Sequence, residues 1–150
     1  MFVCGIDLGT QGARVIVADL EGAVKVETSV PFPGDTLQAG QPGYFEQDPS
    51  LWRQALFQVL SEAIQQLRAA GESPEAIAAL SVTSTSGTLC LVDDSGSVVR
   101  PAIMYSDSRA AHEADDVQSA GAEIAAKLGS RFAPSYAISK LRWLQQHEPA

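Results

Sequence analysis

The chain has 150 residues, of which 45% are apolar and 19% are charged. This length is enough for one domain with a real core, because about two-thirds of the unfolded surface becomes buried at this size. Ten Lys and Arg against 18 Asp and Glu give a net charge of −8, which argues against a protein that binds nucleic acid through clustered positive charge. No apolar run reaches the roughly 18–20 residues of a membrane span, and the N-terminus lacks the basic-then-apolar order of a signal peptide. We therefore expect a soluble, cytoplasmic domain with neither a nucleic-acid nor a membrane partner.

The first thirty residues predict three β-strands joined by tight turns, which form an antiparallel meander. A segment with three prolines and three glycines follows, and this composition predicts a long loop over residues 31–47. The three apolar or alternating runs are residues 2–6, 13–20 and 24–30.

A helix begins after this loop. Asp48 is a suitable N-cap, Pro49 suits the first helical position, and Gly71 suits the end. Between them, apolar residues from Leu51 to Leu67 recur at steps of one, three and four, which predicts one wide apolar face packed on the core.

The second half predicts further strands and two helices. The strand at residues 77–83 is predicted to be buried, and it follows the helix that begins after Asp48, which would serve as the crossover. We therefore expect an α/β fold whose mixed sheet joins the antiparallel meander to parallel strands. Cys4 and Cys90 lie in apolar runs and are predicted to be reduced core thiols. The other segments are a turn or short helix at 73–74, strands at 89–92 and 98–99, a short apolar run at 101–105, and helices at 108–128 and 135–147.

The turn after the first strand has the composition of a phosphate site. Asp7 can hold Mg²⁺ directly or through water, and Arg14 can neutralise charge on a transferred phosphoryl group. Amides and a hydroxyl for phosphate oxygens come from Gly9, Thr10 and Gln11. The same residues also fit an ordinary hairpin turn, and they match neither the Walker A nor the GxGxxG pattern. Spacing alone leaves both interpretations open.

This turn is the first of four segments that occur in the order of a known family. The second, residues 43–52, reads Gly-Tyr-Phe-Glu-Gln-Asp-Pro-Ser-Leu-Trp, and the third is residues 77–88. The fourth, residues 103–109, reads Ile-Met-Tyr-Ser-Asp-Ser-Arg. Together they resemble the FGGY family of carbohydrate kinases, in its ribulose- and xylulose-kinase-like branch. The resemblance implies a ribonuclease-H-like, actin-like ATPase fold and makes residues 1–150 part of an N-terminal kinase domain.

The resemblance also implies a reaction, the Mg²⁺-dependent transfer of the γ-phosphoryl group of ATP to a hydroxyl of a sugar or polyol. It assigns Asp7 to the metal and phosphate, Gly9 and Thr10 to the γ-phosphate, and Arg14 to the developing charge. The family's general base and its C-terminal nucleotide domain normally lie downstream of these segments. We therefore expect no catalytic base among residues 1–150 and almost no turnover from this chain alone.

The third segment indicates which sugar is the expected substrate. Glycerol kinases carry an Arg-Glu pair and xylulose kinases a Met-His pair where this chain has Ser86 and Gly87, so the resemblance disfavours glycerol and D-xylulose. The segment Thr85-Ser86-Gly87-Thr88 is similar to that of the ribulose kinases, which favours a ketopentose such as D-ribulose. Hydroxyls and amides there can bind a neutral sugar, although a polar loop can also satisfy only its own turns.

Three residues of the fourth segment are further candidates for sugar contact. Tyr105 replaces the family's usual Trp and still offers an aromatic wall. Asp107 and Arg109 can bind sugar hydroxyls, or can pair with each other near a helix start. In the first segment, Gln11 stands where the family favours a small residue, and its amide can still reach a phosphate oxygen.

Two other interpretations stay open. One is a non-catalytic domain of the same fold that senses a sugar or a nucleotide. The other is a non-sugar member of the superfamily, such as an acyl-phosphate kinase or a filament protein, which segments 46–49 and 107–109 disfavour. The expected partners are a sugar and ATP, with a homodimer as a further expectation.

Overall fold

The structure is a computed structural model that describes residues 1–34 and 36–149. It divides into two compact units, the first comprising Met1–Asp35 and Ser50–Thr85 and the second Thr36–Pro49 and Ser86–Ala150. Asp35, in the predicted loop, and Ala150, at the end of the predicted domain, lie outside the described residues.

The first unit holds a four-stranded sheet in the order β3-β2-β1-β5. Antiparallel pairing joins β1 to β2 and β2 to β3, whereas β1 and β5 are parallel. The predicted meander and the predicted mixed sheet are therefore both confirmed. The strands are β1 (Phe2–Leu8), β2 (Gly12–Asp19), β3 (Val24–Pro31) and β5 (Ile77–Ser84).

Alternation along the strands and the helix face builds the core of the first unit. In β1, Phe2, Cys4 and Ile6 are buried while Val3 is exposed, as expected when successive side chains point to opposite faces. Helix α1 (Pro49–Ala69) begins at the predicted proline and contributes a stripe of four buried residues to the same cluster. The stripe consists of Ala55, Val59, Ala63 and Leu67.

Helix α1 ends at Ala69, and Gly71, the predicted end signal, follows it with a φ of +79°. The amide of Gly71 donates to the carbonyl of Arg68 and the amide of Glu72 donates to that of Leu67, the two bonds of a Schellman motif. A short 3₁₀ helix at Pro74–Ala76 then leads into β5, where the sequence predicts a turn or short helix. In the described part of the chain, no helix combines the length and apolar character required to cross a membrane.

The prediction that residues 77–83 form a buried strand is wrong in its burial. Leu80 is 65% exposed and Val82 is 57% exposed, although both lie in β5. Of this strand, only Ile77 packs against the core cluster. An apolar run identifies a strand but does not show whether another element covers it.

The second unit is built on a short antiparallel pair, β4 (Glu46–Gln47) and β6 (Ala102–Ile103). The predicted loop at 31–47 therefore contains a strand at its end. The predicted strands at 89–92 and 98–99 form only the isolated bridges Leu89–Ile103 and Val92–Val98. Three helices follow: α2 (Ala111–Ala120), α3 (Ala122–Leu128) and α4 (Ala137–His147).

The single helix predicted over residues 108–128 is thus interrupted. Gly121 lies between α2 and α3 with φ −102° and ψ 20°, outside helical values. A Cβ at this position would lie 2.8 Å from the ring of Phe132. The ring packs where a side chain would stand, a long-range contact that helical periodicity does not reveal.

We predict that Gly12→Ala destabilises the first unit. A Cβ at Gly12 would lie 2.4 Å from the carbonyl oxygen of Val30 and 2.8 Å from the Cα of Pro31, so β2 and β3 would have to separate. The expected loss in the free energy of unfolding is near the upper end of about 1–3 kcal/mol.

Gly22→Ala is the matched control, because Gly22 has a φ of +89° but open space around it. Only the backbone penalty of about 1 kcal/mol applies there. Urea unfolding followed by circular dichroism measures both variants. Equal losses would contradict the close approach at Gly12.

Candidate functional site

The β1–β2 turn places a carboxylate and a guanidinium side by side. Asp7 pairs with Arg14 across the two strands, and Arg14 Nη1 lies 2.9 Å from Asp7 Oδ2. The two side chains are 57% exposed for Arg14 and 42% exposed for Asp7. Because both remain accessible to solvent, the pair can exchange its internal contact for a charged ligand.

Gly9 keeps space open beside this pair. A Cβ at Gly9 would lie 3.5 Å from Arg14 Nη1 and 3.8 Å from Asp7 Oδ2, so a side chain would fill the approach to both groups. An open cavity of about 320 Å³ also lies along this part of the sheet, with Thr83 and Glu27 among its lining residues.

Several backbone groups of the turn already form hydrogen bonds within the protein. The amide of Gly9, a predicted phosphate donor, donates instead to the carbonyl of Gly12 at 2.9 Å. The carbonyl of Gln11 accepts from the amide of Phe32 at 2.8 Å, while the Gln11 residue is exposed. Thr10 lies at the tip and is half-buried. For binding a phosphate, the turn therefore has side chains and open space available, whereas the Gly9 amide already donates to the Gly12 carbonyl.

A second cavity, of about 460 Å³, lies within the second unit. It brings together three of the predicted sugar residues, Ser86, Gly87 and Tyr105. Its volume is within the roughly 300–1,000 Å³ of small-molecule sites. The remaining lining residues are Ser135, Tyr136, Ala137 and Ile138, which lie around the start of α4. Thr85, the other predicted residue of this loop, belongs to the first unit.

Backbone contacts fix the walls of this cavity closely. Gly87 has a φ of +78°, and a Cβ there would lie 2.3 Å from the carbonyl oxygen of Ser135. The amide of Tyr105 donates to Thr88 Oγ1 at 3.2 Å. Glycine is therefore required at position 87 for both its conformation and its contact with Ser135.

Lys140 lies behind the cavity with no solvent exposure. Its Nζ donates to the carbonyl oxygens of Gly87 at 2.6 Å, Met104 at 2.7 Å and Ser135 at 3.2 Å. Three segments that are distant in sequence thus bind one ammonium group. Sequence reasoning missed this residue and the wall at 135–138, because a lysine in a helix usually lies on the surface.

Asp107 and Arg109 form a buried pair. Asp107 is 1% exposed, and its Oδ2 accepts from Arg109 Nη2 at 2.7 Å and from the amide of Phe45 at 2.6 Å. The Arg109 side chain is 1% exposed, and its Nη1 lies 2.8 Å from Glu46 Oε1. Of the two predicted alternatives, sugar contact or mutual pairing, the structure shows the pairing.

Aromatic rings enclose the Arg109 guanidinium. It lies 4.1 Å from the ring centroid of Tyr44 and 5.0 Å from that of Trp143. Burial disfavours its charge, but the hydrogen bonds that Arg109 donates to Asp107 and Glu46, together with their negative charges, outweigh burial and raise the pKa of Arg109. The cluster is therefore a charged core that joins the β4 region to α4.

Comparison with known proteins identifies the family. Residues 2–150 match the pattern of the FGGY family of carbohydrate kinases, N-terminal domain. The chain belongs to this family. The predicted resemblance is confirmed, and solved FGGY kinases confirm the predicted ribonuclease-H-like fold.

Individual relatives of this FGGY chain are sugar and polyol kinases. A xylulose kinase of Staphylococcus epidermidis is 32% identical over 150 residues, which cover 98% of this chain and 28% of the relative. A glycerol kinase of Alkalilimnicola ehrlichii is 33% identical, covering 98% and 29%. The crystal structure of xylulose kinase from Rhodospirillum rubrum is similar with a TM-score of 0.85 at 30% identity, covering 99% of this chain and 30% of that one. The chain spans less than a third of the length of these relatives.

Asp7 is the predicted metal ligand of this FGGY domain. Within residues 1–34 and 36–149, no group of three or more His, Cys, Asp or Glu side chains could hold a metal ion. A single accessible carboxylate nevertheless fits Mg²⁺, which keeps several waters and takes one or two carboxylates together with substrate phosphates. The donor set suits an ion shared with a polyphosphate.

The environment of Lys140 changes its acidity. Burial lowers the pKa of Lys140 from 10.5 to about 8; the charge of Asp107 raises it and that of Arg109 lowers it. A lower pKa in the folded state means that folding releases a proton between pH 8 and 10.5. The burial of this charge therefore costs most below pH 8, and its contribution to stability improves as the pH rises towards 10.5.

We predict that the Lys140 side chain titrates with a midpoint near pH 8. The measurement is a ¹³C NMR titration of the lysine Cε signals, in which Lys140→Arg identifies the signal by its disappearance. A midpoint above pH 10 for that signal would show that water reaches the ammonium group and would contradict the buried geometry.

Proposed function

We propose that the protein carrying this chain transfers the γ-phosphoryl group of ATP to a hydroxyl of a pentulose or a related polyol. The observation that supports this most strongly is the convergence of Ser86, Gly87 and Tyr105 on one cavity in a member of the FGGY family. Residues that the family resemblance assigns to the sugar, from two separate segments, line the same cavity.

The chemistry of this cavity suits a neutral sugar. Its lining residues carry no charged side chain, so a phosphorylated or carboxylated substrate would lack a partner there. Ser86 and Ser135 offer hydroxyls, backbone groups offer further hydrogen bonds, and Tyr105, 44% exposed, offers an aromatic face. Such groups bind hydroxyls and select by shape. Asp107 and Arg109 are buried and pair with each other, and neither lines the cavity.

We assign the phosphate contacts of this reaction to the β1–β2 turn of the first unit. Mg²⁺-ATP, when bound, supplies the phosphoryl group that is transferred. Asp7 would hold the ion through one carboxylate, and Thr10 and Gln11 at the tip would contact phosphate oxygens. Arg14, released from Asp7, would stabilise negative charge on the phosphoryl group. Gly9 keeps the space in which these contacts form.

We predict that Asp7→Ala lowers kcat of the whole protein by at least about 10²-fold, the cost of removing one electrostatic stabiliser of the transition state. Its free energy of unfolding should change little, because exposed ion pairs contribute only about 0–1 kcal/mol. Steady-state release of ADP and urea unfolding measure the two effects.

Glu21→Ala is the matched control for Asp7→Ala. Glu21 is an exposed carboxylate in the β2–β3 turn, at the opposite end of β2 from Asp7. Its removal should leave kcat unchanged. Wild-type turnover in Asp7→Ala would remove the metal and phosphate role that we assign to this residue.

We predict that a pentulose is the preferred acceptor. In a panel of D-ribulose, D-xylulose, ribitol and glycerol, kcat/KM should be highest for D-ribulose, because Ser86 and Gly87 replace the pairs expected for glycerol and D-xylulose. Glycerol should be the poorest, since it is too small to use a cavity of about 460 Å³ fully. Similarity to xylulose kinases makes D-xylulose the strongest competitor.

The same panel separates catalysis from sensing. Calorimetric binding of a pentulose without ADP release in the presence of Mg²⁺-ATP would favour a non-catalytic domain of the same fold. A protein that binds none of the four compounds would contradict the proposal.

A further inference from the structure

Lys140 is a buried cation whose position is not explained by packing alone. Its residue has no solvent exposure, and burial already lowers its pKa. A methionine would fill a similar volume without the cost of removing an ammonium group from water. The contribution specific to lysine is therefore its three N–H donors, which form three hydrogen bonds to backbone carbonyls.

Two of those carbonyls belong to residues that line the cavity, and the third belongs to the residue next to a lining residue. Gly87 is in the loop at residues 85–88, Met104 immediately precedes Tyr105, and Ser135 precedes α4. All three oxygens lie within 3.2 Å of one nitrogen, so their partial negative charges point at the same place. Without a cation between them they would repel one another. The ammonium group converts this repulsion into three contacts.

We propose that Lys140 is a positioning residue for the sugar pocket, which sets the relative placement of Gly87, Tyr105 and Ser135 by binding the carbonyls of their three segments at once. It acts through the backbone and does not touch the sugar. The inference rests on the proposed function, because it takes the cavity to be the acceptor site. It adds the residue on which the shape of that site depends.

This role determines which kinetic constants respond to a substitution. A looser pocket binds the sugar less tightly and discriminates less between epimers, since misplacement of about 1 Å can cost up to about 10²-fold. The contacts with Mg²⁺-ATP that we assign to the β1–β2 turn lie in the first unit, whereas Lys140 lies in the second. The KM for ATP should therefore be unaffected by a defect limited to the pocket.

The test uses Lys140→Met and Lys140→Arg in the whole protein. For Lys140→Met we expect the KM for the preferred pentulose to rise at least about tenfold, and the KM for ATP to change less than about twofold. The ratio of kcat/KM between D-ribulose and D-xylulose should fall towards one. Lys140→Arg, which keeps a charge and several donors, should restore part of the affinity. Lys127→Met, at an exposed lysine of α3, is the matched control and should behave as wild type.

A pH measurement keeps the proposal testable if Lys140→Met does not fold. A neutral amine has two hydrogens for three carbonyls, so pentulose affinity of the wild type should fall as the pH rises through about 8. Asp107 and Arg109 are the charged groups that act on Lys140, and Glu46 pairs with Arg109. Lys140→Arg should lack this pH dependence, because arginine does not lose its proton in this range.

The outcomes distinguish a failure of the positioning role of Lys140 from a failure of the proposed kinase function. Wild-type pentulose affinity and discrimination in a folded Lys140→Met protein would overturn the positioning role while leaving the kinase proposal intact. Equal losses for sugar and ATP would show a merely structural lysine and would also overturn it. A wild-type protein that binds no pentulose would overturn the proposed function, and this inference with it. An affinity that is independent of pH from 7 to 9 would contradict the need for the third donor.

Discussion

Arg109 carries a charge that is almost wholly withdrawn from water, and the second unit is arranged around it. Asp107 neutralises the guanidinium, Glu46 adds a second carboxylate, and the rings of Tyr44 and Trp143 enclose it. Breaking such a buried pair typically costs about 3–5 kcal/mol, because the remaining charge is left without a partner. The chain segments that carry these residues therefore cannot separate independently, and the β4–β6 pair, the Tyr105 loop and α4 are fixed together.

Local sequence patterns predict the strands and the helix of the first unit, because these elements depend on residues that are close in the chain. Strand alternation, the apolar face of α1 and the Gly71 end signal each depend on neighbouring residues, and each appears in the structure as predicted. The exposure of Leu80 and Val82 was not predictable in the same way. Burial depends on which element covers a strand, and the apolar run carries no information about it.

The second unit was harder to predict because its order comes from single long-range contacts. Phe132 packs against Gly121 and ends a helix that periodicity would continue. The four family segments suggested Ser86, Gly87 and Tyr105 as sugar contacts; these three residues line one cavity, and their role in binding a sugar stays a prediction. They left open whether Asp107 and Arg109 bind a sugar or each other, and they did not reveal that Lys140 lies behind the cavity. Residue type and spacing identify the chemistry that a segment can perform, whereas burial decides which side chains are available for it.

The distribution of charge supports one view of how the cavity selects its ligand. Three charged side chains of the second unit, Asp107, Arg109 and Lys140, are buried and are satisfied by protein groups, and none of them lines the cavity. The surface presented to a ligand is therefore neutral, although charges hold it in place. A neutral ligand gains no ion pair from such a surface, so its affinity must come from hydrogen bonds and fit, both of which depend on precise backbone placement. Under the proposed function, specificity for the sugar would therefore depend more on the backbone that Lys140 and Arg109 fix than on any single side chain that lines the cavity.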